Sequence, residues 1–448
     1  MTALQILGQV ITSGLRGQIS DTTRARIGPH ITDTVGAWIA GAHTPEGKRL
    51  LATAVTGIDN NLCRAVAVHC ALARLSEVDN IHLASSITPG GIVIPAALTI
   101  ATAREKFGRE TLIEAIVAGT ETMVRLGLAI DGPAILYRGI WPTYFTAACG
   151  VAAVAARLYD LDSMQSAHAL ALALTFAAPG VGHHNAASTS RWFALGHAAS
   201  SGLIAAQAAK TGFTSDLSLL NNDFLSRIYG ITPDVNAIVA APKSHFAIDE
   251  TSIKPWCGAR QTVAATHGLL QIIDGGVPGD AITAVEIGVP PPYLRMINHG
   301  VEAGNRASYL TSVRFRLALA AYDRARLYDV GYVPQQMSDE VKAFMQKISV
   351  AADPELLVHY PKAWPAKVVV RTGSNVRERL VIAVPGDPQQ PFDEQNIETK
   401  FRRVLASAGV DNVDELLMGS RSACDPFSLA LIQQIKRARA LVQASGVG

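Results

Sequence analysis

The segment Thr143–Tyr159, TYFTAACGVAAVAARLY, is alanine-rich and almost uncharged, with Arg157 near its end. A helix that is apolar on every face has to be enclosed by protein, so this chain must wrap further helices around it. Candidates flank it on both sides. Asn61–Ser76 places Leu62, Val66, His69 and Ala73 on one face, and Glu110–Ile130 carries a stripe from Leu112 through Ile116, Thr120 and Met123 to Gly127. Ile94–Phe107, Ser163–Ala178 (with Asp162 or Ser163 as N-cap) and Phe193–Thr211 (closed by Gly212) read the same way. Residues 1–60 read as amphipathic helices broken at Gly28-Pro29. Glu121 and Arg125 have the spacing of a helical ion pair.

The texture changes after about residue 250. AITAVEIGV, AKVVVRTG and RERLVIAV alternate as strands do, the last two joined by a Gly-Ser-Asn turn. Leu310–Leu327 and Ser338–Ser349 between them read as helices, as do Glu394–Leu405, Asn412–Leu417 and Pro426–Ala444. The expected fold is mostly α. A large helical domain is drawn from residues 1–252 and 391–448, and a smaller α+β domain, 253–390, is inserted between them.

Composition narrows function. Net charge is +2 with no basic block, which gives no electrostatic case for nucleic acid. No apolar run reaches the ~18 residues of a membrane span. The N-terminal stretch lacks a basic region and a cleavage site, and the five cysteines form no CxxC pair, so a cytoplasmic location is expected. None of the histidines sits in HExxH or a Cys/His cluster, and His183 and His184 are adjacent and point apart, so no metal is expected. Gly180-Val181-Gly182 follows a helix and lacks a third glycine, which argues against a dinucleotide loop, and Gly196–Gly202 reads as small-residue packing. No GxSxG occurs. Cys257 is a lone cysteine, more often structural than nucleophilic.

What remains is a set of polar islands between buried helices. The first, Glu77–Pro95 (EVDNIHLASSITPGGIVIP), combines Asp79, His82, Ser85, Ser86 and Thr88 with a Pro-Gly-Gly break. Backbone groups of such a loop need partners, and a cavity wall suits it. His82 has the pKa range of a general base, with a satisfied half-buried histidine as the equal alternative. Asp79 is placed to bond His82 or cap the next turn. GIWPTYF puts Tyr144 at the mouth of the buried helix. STSRWFALGH and SIKPWCGAR carry Arg191 and Lys254, surface charges if they stand alone and a carboxylate clamp if they converge.

These islands resemble the successive blocks of the MmgE/PrpD family, which includes 2-methylcitrate dehydratase, cis-aconitate decarboxylase and iminodisuccinate epimerase. SEVDNIHLASSITPGGIVIPAAL, AGTETMVRLGLAI, IWPTYFTAACGVAAVAARLYDLDSMQSAHALALA, SRWFALGHAASSGLIAAQAAKTGFT, SIKPWCGARQT and AVPGDPQQPFDEQNIETKFRRVL run in family order over nearly the whole chain. The resemblance implies a homodimer with a helical domain, a smaller α+β lid, and an active site in the cleft between them. Asp79 and His82 match the family's DDTH. Its HPSG reads TPGG here, so Thr88 stands at a histidine, and Trp141 stands at the histidine of a WHPT-type motif. Arg191 matches a position usually lysine, Lys254 the KPYP-type lysine, and Arg260 the arginine after it. The histidine of the following TH is missing at Thr262-Val263.

Family dehydratases and decarboxylases lean on the histidines that Thr88 and Trp141 replace. An epimerase needs a cationic pocket and two acid/base groups on opposite faces of one carbon. The expectation is therefore a cofactor-independent epimerase or racemase of a small dicarboxylate-type acid, with iminodisuccinate one candidate. His82, Tyr144 and Lys254 are the catalytic candidates, and Asp79, Thr88, Arg191 and Arg260 the substrate-binding ones. A 2-methylcitrate-type dehydratase and a non-catalytic carboxylate-binding protein are the competing readings.

Overall fold

Every residue of the helix Pro142–Leu158 is buried, as its composition demands. In the computed structural model it packs against the helices Gly90–Thr102, Arg109–Ala129, Ser163–Thr175 and Ser190–Lys210. Small residues set these distances. A Cβ on Gly202 would fall 2.1 Å from the Ala148 carbonyl oxygen, and one on Gly41 1.9 Å from that of Leu72, so a side chain at either position would force backbones apart. The helix Asp21–His43 packs on the late helices Glu394–Ser407 and Val413–Arg421, so segments far apart in the chain share one core.

The structure describes residues 1–53, 61–104, 108–177, 188–240, 245–334 and 336–421. The end of the expected helix Ile94–Phe107, most of the loop Pro179–Ser190 with Gly180–Gly182, His183 and His184, the helix Pro426–Ala444 and Cys424 lie outside the described residues in whole or in part.

Several boundaries differ from expectation for identifiable reasons. Pro-Gly-Gly starts a helix rather than breaking one. The Gly90 N–H donates to Asn80 Oδ1 at 2.8 Å, and a Cβ there would lie 2.4 Å from the Asn80 amide, so glycine lets the first turn reach the loop. The helix expected at Phe193 begins at Ser190, which puts Arg191 in its first turn. Asp131–Trp141 contains the short helix Gly132–Leu136. Leu310–Leu327 is split at Ser312, whose side chain caps Val313–Tyr322 by accepting from the Phe315 N–H. Asp162 caps as expected, in a reciprocal box with Gln165, and Asn61 caps Leu62–Leu75. Arg125 Nε pairs with Glu121 Oε1 at 2.7 Å.

The fold is mostly helical with one small mixed sheet in the C-terminal region, order β2-β1-β3-β4. β1 (Ala284–Val289) runs parallel to β2 (Ile348–Ala352) and antiparallel to β3 (Ala366–Thr372), which forms a hairpin with β4 (Asn375–Val381). The helix expected at Ser338–Ser349 ends at Gln346, and its last two residues open β2; ISVAA is short, largely exposed and has no clear alternation. The hairpin closes at Thr372 opposite Asn375, and Gly373 supplies the left-handed φ of 55° that the turn needs. Apolar side chains form two clusters. One holds the helices described above with Phe401, Leu405 and Leu417. The other holds β1–β4 and the helices around them. Ile81 and Leu83 of the first polar island belong to the second cluster, while Cys257 and Leu310 belong to the first. Among the described residues no helix is long and apolar enough to cross a membrane.

Candidate active site

The polar islands converge. One cleft is lined by Arg74, Glu77, Ile81, Ser86 and Thr88 from one side, by Trp141 and Thr143 from the mouth of the buried helix, and by Arg191 and Trp192. Lys254, Arg260, Gln261 and Trp364 complete it. The first island and the stretch of Lys254 reach one place because Ile81 pairs with Ser252, while His82 pairs with Ile87 within the loop.

At its centre is a buried charge network. Arg74 Nη1 lies 2.7 Å from Glu77 Oε2 and 3.3 Å from Asp79 Oδ1, and Lys254 Nζ lies 3.5 Å from the same Asp79 oxygen. Lys254 also donates to the carbonyl oxygens of Glu77 (3.0 Å) and Gly258 (3.4 Å). Asp79 is fully buried and its Oδ2 has no partner. Burial therefore dominates its titration and raises the carboxyl above the usual range against the pull of Arg74 and Lys254. Burial likewise lowers the Lys254 ammonium below an ordinary lysine, against Asp79 and Glu77. Glu77 goes the other way. Burial opposes ionisation, but Arg74, Lys254 and Arg191 together hold it down at about 2. Glu77 also has a left-handed φ of 54°, and Ser86 one of 56°. Strain of this kind concentrates at functional sites.

Glu77 makes the site acid-sensitive with a definite sign. Its folded pKa is depressed, so its contribution to stability is complete above an ordinary carboxylate's ~4.3 and is lost as pH falls toward the folded value. Denaturant melts of wild type and Glu77→Gln should converge as the pH drops from about 5 to about 3.

Arg191 stacks on two rings, 5.3 Å from the Trp141 centroid and 5.6 Å from that of Trp192. Arg260 Nη2 grips both carboxylate oxygens of Asp387 at 2.9 and 2.8 Å, leaving its Nε and Nη1 without a partner. The Thr88 N–H donates to Thr143 Oγ1 at 3.0 Å. Thr88, Arg191, Lys254 and Arg260 thus share the cleft, and Asp79 lies directly behind Lys254.

Two expectations are corrected in placement. His82 is not on the cleft wall. Successive residues of an extended strand face opposite ways, and it is Ile81 that lines the cleft. The His82 Nδ1 sits 2.9 Å from Ser85 Oγ and accepts the Ser85 N–H at 3.3 Å, while Nε2 donates to Glu250 at 3.3 Å. With Nδ1 engaged, His82 has no free base aimed at a substrate. Its hydrogen bond is the main cause that holds Glu250 at about 2, burial opposing and His245 assisting. Nor is Asp79 a partner of His82; its contacts are Arg74 and Lys254.

Tyr144 is buried beside the cleft rather than lining it, its ring edge-on to Trp141 at 5.4 Å. Its hydroxyl has no partner, and burial pushes its pKa up to about 12 although Arg74 and Arg191 pull it down. Cys257 is structural: Sγ donates to the Leu327 carbonyl at 3.1 Å. Among the described residues no group of His, Cys, Asp and Glu is arranged to hold a metal.

Sequence reasoning missed Arg74, Glu77 as a cleft residue, Thr143, Gln261 and Trp364. Arg74 carried a signal, a guanidinium in the last turn of a helix whose other arginine, Arg64, sits in the first turn.

Two family models match this chain: the MmgE/PrpD N-terminal domain over residues 5–226 and the MmgE/PrpD C-terminal domain over residues 256–417. No curated protein matches it.

Proposed function

Because this chain belongs to the MmgE/PrpD family, a largely enzymatic one that includes dehydratases, we propose that it is a cofactor-independent epimerase or racemase of a small dicarboxylate-type acid. The observation that carries the reading is the convergence of Arg74, Arg191, Lys254 and Arg260 on one cleft, with the lysine pKa lowered by burial. Removing a proton next to a carboxylate requires nearby cations to stabilise the carbanion and a base that is partly neutral at working pH. Lys254 is the base in this reading, and Tyr144, packed edge-on against Trp141 of the cleft wall, is the proton donor. Tyr144's raised pKa keeps its hydroxyl protonated. Arg191 and the unspent Nε and Nη1 of Arg260 hold the carboxylates. The second apolar cluster acts as a lid over the cleft. The enzyme works as a homodimer, for which the exposed Phe193, Ile204 and Phe213 offer apolar surface.

The test is incubation with small dicarboxylic acids in D₂O. Inversion should place one deuterium on the inverted carbon with no new absorbance from a C=C bond. A product with a double bond selects the dehydratase reading. Binding without exchange at any carbon selects the non-catalytic one. Arg191→Ala should raise KM at least about tenfold, the size of one lost charge-assisted hydrogen bond. Unchanged KM would move the carboxylate site elsewhere.

A further inference from the structure

The cleft's central pair is braced from behind by a second buried ion pair. Lys400, on the helix Glu394–Ser407, pairs with Asp33 on the helix Asp21–His43, and the two side chains are 5% and 1% exposed. The same Nζ donates to the Val78 carbonyl at 3.2 Å. Val78 immediately precedes Asp79, whose Oδ1 faces Lys254. Neither Lys400 nor Asp33 lines the cleft. One turn before Asp33, the His30 Nδ1 accepts from the Asn80 amide at 2.9 Å, and Asn80 in turn receives the Gly90 N–H. Residues on both sides of Asp79 are thus fixed by one helix and its C-terminal partner.

A buried ion pair is a poor source of stability, because desolvation offsets its attraction. A role in fixing geometry explains its presence better. We infer that Lys400, held by Asp33, is a positioning residue for the Asp79–Lys254 pair: it clamps the Val78 carbonyl so that Asp79 faces Lys254, and its charge tunes that lysine. This rests on Lys254 being the proton-moving group. The charged groups acting on Lys254 are Asp79 and Glu77 on the loop, Arg74 on the helix Leu62–Leu75, Lys400, and Asp33 beside Lys400; Arg74 and Lys400 lower its pKa and the acids raise it.

The experiment is competitive acetylation of the full-length protein by acetic anhydride over a pH series, with the labelling midpoint of Lys254 read by mass spectrometry. Kinetics are measured in parallel. Lys400→Met should raise the Lys254 midpoint by about one unit, since one like charge is lost, and lower kcat about tenfold with KM little changed. Lys400→Arg should restore most of both. If Lys400→Met does not fold, Asp33→Asn with Lys400→Met removes both charges without stranding a buried acid, and the midpoint should still rise, by less than in Lys400→Met because an acid that acts on Lys254 goes with it. A Lys254 midpoint and kcat equal to wild type in the folded variants would make the pair a packing feature and overturn the inference. A shifted midpoint in a protein that exchanges no substrate proton would defeat the proposed function and leave the positioning role standing.

Discussion

Lys254→Met is expected to lower kcat by about 10²–10⁴-fold, the usual size of one acid/base group. Lys254 is 2% exposed, yet it lines the cleft and lies 3.5 Å from Asp79. The loss should not unfold the chain. Asp79 keeps Arg74, and its carboxyl is already raised by burial, so it takes up a proton instead of remaining an unpaired buried charge. Lys254→Arg separates the two jobs of this residue. A guanidinium keeps the positive charge but does not lose its proton. That variant should bind substrate with KM close to wild type and exchange the substrate proton as slowly as Lys254→Met. Deuterium incorporation measured by mass spectrometry, beside a thermal melt, checks both. If Lys254→Arg exchanges at the wild-type rate, Lys254 is an electrostatic stabiliser and another group moves the proton.

Tyr144→Phe is expected to separate activity from stability. The hydroxyl is buried without a hydrogen-bond partner, an arrangement that costs about 1–3 kcal/mol relative to an apolar group of the same shape. Removing it should therefore stabilise the fold by about 1 kcal/mol, read as a higher denaturant midpoint at unchanged slope. The same hydroxyl is the proposed proton donor, so kcat should fall by about 10²–10⁴-fold. Proteins that hold destabilising groups at functional positions show this trade-off. A more stable variant with full kcat would make Tyr144 a packing residue and leave Lys254 to remove and return the proton alone. Lower stability in Tyr144→Phe would mean the hydroxyl has a partner in solution, which removes the premise of this prediction.

How much of this was legible beforehand divides along physical lines. Elements whose cause is local could be read from the chain. The alanine-rich Pro142–Leu158 has no solvent-compatible face, and Asp162 caps because its own side chain reaches the next N–H groups. The β3–β4 hairpin follows from a glycine able to take a positive φ. β2 was missed because nothing local marks it; its strand character comes from pairing with β1.

At the site, Arg191 and Lys254 were drawn from polar islands in an apolar chain and Thr88 and Arg260 from the family resemblance, and the fold brings all four to one cleft. Which way each side chain faces was decided by tertiary structure. His82 and Ile81 are neighbours in the polar stretch, and only the bridge to Ser252 turns Ile81 to the cleft and His82 to Glu250. Glu250, Asp33 and Lys400 were invisible in the chain for the same reason. His82 lies 168 residues from Glu250 and Asp33 lies 367 from Lys400, and a charged side chain takes its role from the groups that folding brings to it.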